Sequence, residues 1–176
     1  MKKKTTIKPK KPIQLNRLFE YTIKLNKNQV DYSDLKKIKE IKNFREQTYR
    51  HITITNDTVS KKIEEALKKF SSSKKKQKIT EIKSILKKLQ WEYYEKKIYL
   101  IEKKAYIENL KINEHRKSYI REIEMPDIKI FYRKLNTILK THIPTQFPHI
   151  SLYTKGEHPN RGYFGISIPS KIAFKN

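Results

Sequence analysis

From Leu18 to Leu25 apolar and polar positions alternate: Phe19, Tyr21, Ile23 and Leu25 share one parity, which predicts a strand with one buried face. Leu35, Ile38 and Ile41 follow at helical spacing. With Ser33 or Asp34 as cap they predict a helix ending near Phe44. Tyr49 to Thr55 alternates again, and Asn56 and Asp57 end that strand and can cap the next helix. Val59 to Gln90 reads as helical. Ile63, Ala66, Leu67 and Phe70 form one stripe; Ile79, Ile82, Ile85, Leu86 and Leu89 form another; Ser71 to Ser73 mark a break between them.

Trp91 to Ile107 reads as strands, with a hairpin around Lys103 and Lys104; Glu102 to Glu108 can equally be helical. Ser118 to Glu124 is a short strand stopped by Pro126. Asp127 can cap a helix whose apolar face is Ile128, Phe131, Leu135, Ile138 and Leu139. After a loop over 141–146, Phe147 to Thr154 is strand-like. Gly156, Gly162 and Gly165 then mark a turn before a last strand, Tyr163 to Ile168.

Two halves of this pattern read alike. A strand with Tyr21, a helix and a strand with His51-Ile52-Thr53 are matched by a strand with Ile120, a helix and a strand with His149-Ile150-Ser151. Tyr21 to His51 spans 30 positions and Ile120 to His149 spans 29. The repeat suggests an α/β (α+β) fold of duplicated strand–helix–strand lobes; packed pseudo-symmetrically, they would form a bilobal molecule with a cleft between them. Residues 1–17 are expected to be a basic tail, and 18–176 a single bilobal domain with a Lys-rich helical segment over about 58–90.

Alternation carries the chemistry. His51, Thr53 and Thr55 share one face while Ile52 and Ile54 enter the core; His149, Ser151 and Tyr153 do the same against Ile150 and Leu152. Each motif offers an imidazole beside a hydroxyl. Two such pairs across a cleft suit a phosphodiester. One neutral histidine takes a proton from the attacking group, and the other, protonated, gives one to the leaving oxygen. The two hydroxyls hold the non-bridging oxygens.

Composition narrows the partners. The chain has 176 residues, 42 Lys+Arg against 18 Asp+Glu, and a formal net charge of +24. Such a surplus points to a polyanion such as RNA or a nucleotide-like phosphate, although abundant Lys, Ile, Asn and Tyr also fit an A/T-rich genome. There is no cysteine, which excludes disulfides, thiolate metal sites and cysteine nucleophiles. No apolar run approaches a membrane span, and Met1-Lys2-Lys3-Lys4 is not followed by the apolar stretch of a secretory signal, so a cytoplasmic protein with no membrane partner is expected. No Gly-rich phosphate loop appears, and His115, His142 and His158 lack ligand spacing, so neither cofactor nor metal is expected. Lys155 and Arg161 flank the glycine-bearing loop and can reach phosphate or solvent. Tyr153 can stack on a base, bond a phosphate, or pack at the groove edge. Arg121 alternates away from Ile120 towards groove or solvent.

His51-Ile-Thr-Ile-Thr and Pro148-His149-Ile-Ser-Leu-Tyr-Thr resemble the paired His-x-Thr/Ser signatures of the two-histidine (2H) phosphoesterase superfamily, over approximately Phe19 to Ser170. The resemblance implies both motifs lining a central groove and metal-independent chemistry on RNA 2′,3′-cyclic phosphates, 2′-5′ links, RNA 3′ ends or cyclic nucleotides. It gives His51 and His149 the catalytic roles, and Thr53 and Ser151 the phosphate-binding roles. Tyr153, Thr55, Lys155 and Arg161 are the expected substrate contacts. The Lys-rich helical segment and basic tail depart from the family pattern. A monomeric phosphodiesterase is the first expectation. A non-catalytic RNA-binding protein of the same fold, or RNA ligation by the same site, are the alternatives.

Overall fold

A computed structural model describes residues 11–107 and 112–156. It is an α+β structure with two antiparallel sheets. In chain order its elements are β1 (Ile13–Gln14), β2 (Tyr21–Leu25), three 3₁₀ turns (Lys27–Gln29, Ser33–Lys37 and Lys39–Asn43), β3 (Arg45–Glu46) and β4 (Arg50–Thr55). Then come α1 (Asp57–Leu67), α2 (Ser72–Lys88), β5 (Tyr94–Ile107), β6 (Ile112–Glu124), α3 (Pro126–Leu139) and β7 (His149–Lys155). One sheet has the order β1-β2-β4, the other β3-β7-β6-β5. Among the described residues no helix is long and apolar enough to cross a membrane.

The chain forms two compact units, each drawn from separate stretches of sequence. Of the described residues, one holds 11–24, 52–94 and 124–148; the other holds 25–51, 95–107, 112–123 and 149–156. All three α-helices belong to the first unit.

In the first unit, Asn56 caps α1 by accepting the Val59 N–H at 2.9 Å. Val59, Ile63, Ala66 and Leu67 fall on one helical face and are buried. Ile82 and Leu86 are the buried residues of α2, whose lysines cover its other faces. In α3, Pro126 occupies the first turn, where a missing N–H costs nothing, and Met125 is the cap. The Asp127 carboxylate, expected to cap, instead accepts the backbone N–H groups of Gln90 and Trp91 at 2.9 and 2.8 Å. The core here is Phe19, Ile23, Ile52, Ile54, Ile63, Leu67, Ile82, Trp91, Phe131, Tyr132 and Leu135. Ile13–Gln14 pairs antiparallel with β2, so the basic tail expected over 1–17 gives way at Ile13.

In the second unit the expected helix before β4 is replaced by 3₁₀ turns, with i→i+3 bonds from Ile38, Ile41 and Phe44. Leu35 is the one residue of these turns that is buried. Without an apolar face to bury, a helical nucleus there has nothing to repay its cost. Strand β5 continues through Lys103 and Lys104 to Ile107, so neither the hairpin nor the helix expected there forms. The expected last strand, Tyr163 to Ile168, lies outside the described residues.

Candidate active site

β4 carries the first motif. Ile52 and Ile54 are fully buried, which turns His51 and Thr53 to the half-exposed face between them. Alternation then fails at Thr55. Its hydroxyl is 0% exposed, accepts the Tyr21 N–H at 3.0 Å and donates to the Phe19 carbonyl. The substrate contact expected of Thr55 is thus a correction: its hydroxyl ties β4 to the start of β2.

The His51 ring lies 4.9 Å from the Tyr49 ring, and its Nδ1 is 3.4 Å from the Tyr49 carbonyl oxygen. In the tautomer with the proton on Nδ1, this contact is a donation, and Nε2 carries the lone pair that a general base requires. The boundary between the two units falls in β4 between His51 and Ile52, so His51 is counted with the second unit and Thr53 with the first.

β7 carries the second motif. Ile150 and Leu152 are fully buried, Ser151 is half-exposed, and His149 is 8% exposed. His149 pairs across the strands with Glu122, and Ser151 with Ile120; Tyr153 pairs with Tyr119. The step from Tyr119 to Ile120 thus faces a step of two on β7, a bulge at Leu152. A bulge re-aims the side chains around it, so simple alternation does not carry Tyr153 onto the cross-strand face of His149 and Ser151. Directly opposed residues share a face, so Glu122 sits beside His149. Its carboxylate accepts the Tyr99 hydroxyl at 3.1 Å. Sequence reasoning passed over Glu122, because only strand register brings it opposite the histidine.

Tyr153 belongs to a second cluster. Its ring meets Tyr32 edge-on at 6.3 Å, and Glu46 is its cross-strand partner. Arg50, next to His51 in sequence, is buried. It donates through Nε to the Tyr32 hydroxyl, lies 5.5 Å from that ring, and pairs with Glu46, which also pairs with Lys27 at 2.9 Å. Burial raises the Tyr32 phenol, and Arg50 only partly offsets it, so Tyr32 stays protonated at neutral pH. Arg50 was also missed in sequence; its strand parity places it with the core side of β4, and only the structure supplies its partners.

The remaining candidates scatter. Lys155 is exposed at the end of β7, opposite Lys117, whose ammonium pairs with Glu102 at 2.6 Å. Arg161 and His158 lie outside the described residues. Arg121, expected at groove or solvent, is 3% exposed. Its guanidinium meets Asp34 and Glu95 at 3.2 Å and donates to the carbonyls of Lys96 and Asp31. Among the described residues no three His, Asp or Glu side chains gather as metal ligands.

Comparison of the chain with protein-family models, with curated proteins and with solved structures returns no match.

Proposed function

We propose that the protein is a metal-independent phosphodiesterase of the two-histidine type, acting on RNA or a nucleotide-like phosphodiester. One observation carries this reading. Each His-x-Thr/Ser triplet lies on a strand whose intervening residues, Ile52 and Ile54 in β4 and Ile150 and Leu152 in β7, are all fully buried. A core on one face leaves His51 and Thr53, and the hydroxyl of Ser151, on the other. In the case of a 2′,3′-cyclic phosphate, one histidine takes a proton from water as its oxygen attacks phosphorus. The bond from phosphorus to one ribose oxygen breaks, and the second histidine delivers a proton to that oxygen. Thr53 and Ser151 donate to the non-bridging oxygens as negative charge develops there. Glu122 orients His149 from the neighbouring strand. Cleavage of a 2′-5′ or cyclic-oligonucleotide link would use the same four groups.

The net charge of +24 favours an oligonucleotide over a mononucleotide. The same charge favours the second reading, a basic RNA-binding protein without turnover. We read the protein as cytoplasmic and monomeric.

Hydrolysis of a panel in EDTA tests the proposal: 2′,3′-cyclic ends, 2′-5′ links, 3′-5′ controls and cyclic oligonucleotides, with wild type, His51→Ala and His149→Ala. The expected result is turnover that survives chelation and disappears in both variants. Absence of turnover on every substrate, with salt-sensitive RNA binding, would replace it with the second reading.

A further inference from the structure

An open groove of about 820 Å³ runs between α2 and α3 in the first unit, and no residue of either histidine motif lines it. We propose that this groove holds the sugar–phosphate backbone of a single RNA strand. This rests on the reading that RNA is the substrate, and adds a second contact site to it.

The chemistry of the walls carries the inference. Arg133 and Lys134 line one side, with Thr137; Thr80 and Ser84 line the other. These are the side chains that bond phosphate and sugar oxygens. Arg133, Lys134, Thr80 and Thr137 are exposed. Thr80 and Thr137 each donate back to a carbonyl one helical turn earlier, at 3.1 Å, which leaves the hydroxyl oxygens as acceptors, suited to a ribose 2′-hydroxyl, while Arg133 and Lys134 supply the donors for phosphate. The groove's one carboxylate, Glu81, is already engaged by Lys78 at 3.1 Å and by Gln77 at 3.0 Å. Its charge is therefore neutralised within α2, while no ion pair engages Arg133 or Lys134 among the described residues. Ile85 and Ile138, both half-exposed, form the floor.

Charge beyond the groove points the same way. α2 carries Lys74, Lys75, Lys76, Lys78, Lys83, Lys87 and Lys88 against one acid, Glu81. Lys74 and Lys88 fall on the helical face of Glu81 and Ile85, about one turn beyond the lining residues Gln77 and Ile85. A line of cations with apolar floor between them matches a backbone that presents a charge at each nucleotide. The groove lining has no aromatic side chain to stack a base, so the contact would be indifferent to base sequence.

The test uses the full chain and a fluorescently labelled 12-nucleotide single-stranded RNA. Anisotropy is followed across a salt series for wild type, Arg133→Ala/Lys134→Ala, and the matched control Lys36→Ala/Lys37→Ala in the exposed 3₁₀ turn. The groove variant should bind about 10-fold more weakly or worse. Its plot of log K against log salt should be shallower by about 1.4, the release expected for two lost phosphate contacts on a single strand. The control should move by far less. Both variants sit on the surface, and unchanged circular dichroism will show that they fold. Equal weakening in groove and control variants overturns the proposal, since it would mean diffuse attraction. Binding of an acidic amphipathic peptide here, with RNA affinity unaffected by the groove variant, also overturns it. Turnover separates the two readings. The groove variant should raise KM on a 12-mer with a cyclic-phosphate end and leave a dinucleotide substrate unchanged. If no substrate turns over but groove-dependent binding holds, the catalytic reading fails and the groove stands.

Discussion

The Tyr132 hydroxyl on α3 donates to the Ile54 carbonyl in β4 at 2.9 Å. That oxygen belongs to the strand that carries Thr53, so a helix more than seventy residues further along the chain helps to fix the first motif. Burial raises the phenol far above its ordinary range, so it remains a donor at any physiological pH. Tyr132→Phe should keep the ring packing and lose the bond, leaving a buried carbonyl unsatisfied. The expected cost is about 1–3 kcal/mol, read as a lower urea midpoint with an unchanged helical spectrum. An unchanged midpoint would mean that the bond contributes nothing net.

The hydroxyls of β4 and β7 should separate by role. Thr53→Val and Ser151→Ala should each lower kcat by about 10²–10³ if they stabilise developing charge, with little loss of stability. Thr55→Val should do the reverse, lowering stability by about 1–3 kcal/mol with kcat kept. His51→Ala and His149→Ala should each lower kcat by about 10²–10⁴, and the double variant should be little worse than either. The wild-type kcat/KM should be bell-shaped in pH, as one base and one acid require. Steady-state kinetics beside urea titrations would check all of these; equal kinetic loss in Thr53→Val and Thr55→Val would contradict the assignment.

Two carboxylates should give opposite pH signatures. For Glu46 the cost of burial is outweighed by hydrogen bonds from Lys27 and Arg50, so its pKa is lowered. Its stabilisation is present above the unfolded value near about 4.3 and is lost as pH falls through the lower folded value. For Glu95 burial wins over the Asp31 N–H and Arg121, so its pKa is raised. Its contribution is full below the unfolded value and fades as pH rises through the folded one. Glu46→Gln should therefore fall furthest behind wild type at neutral pH, and the gap should close in acid. Glu95→Gln should gain on wild type as pH rises from 4 to 7. Urea midpoints across that range decide it; parallel curves for the two variants would refute the assignment.

Trp91, the only tryptophan, adopts φ of 56° although it is bulky. That conformation costs about 1–3 kcal/mol, and the surroundings hold it. Its indole donates to the Leu86 carbonyl at 2.8 Å, its ring packs 5.9 Å from Phe131, and the Asp127 carboxylate fixes its N–H. Asp127→Ala should release two backbone donors, shift the emission of Trp91 to the red, and lower stability by about 1–3 kcal/mol. A spectrum identical to wild type would show that the core alone fixes the ring.

Much of the local structure was legible. Asn56 as a cap, the break near Ser71 to Ser73, and the halt at Pro126 all follow from side-chain and backbone chemistry within a few residues. The helix expected from Leu35, Ile38 and Ile41 was not: spacing alone does not say whether a partner surface exists, and there only Leu35 is buried. The strand hydroxyl of Thr55 reads like that of Thr53 in sequence. What separates them is Phe19 and Tyr21, thirty-odd residues earlier, whose backbone groups need a partner.

The amino-acid order by itself determined the α+β class, the strand character of both His-x-Thr/Ser triplets, and the burial of the isoleucines between them, since alternation and capping depend on near neighbours. The tertiary structure alone decided that Glu122 faces His149 and that a bulge at Leu152 re-aims Tyr153. It also decided that the buried Arg121 and Arg50 commit their charges to the carboxylates of Asp34, Glu95 and Glu46, and that all three α-helices of the described residues gather in one unit. Each of these depends on strand register or on packing between distant segments. Such contacts are fixed by which surfaces must leave water together, and no local pattern encodes that choice.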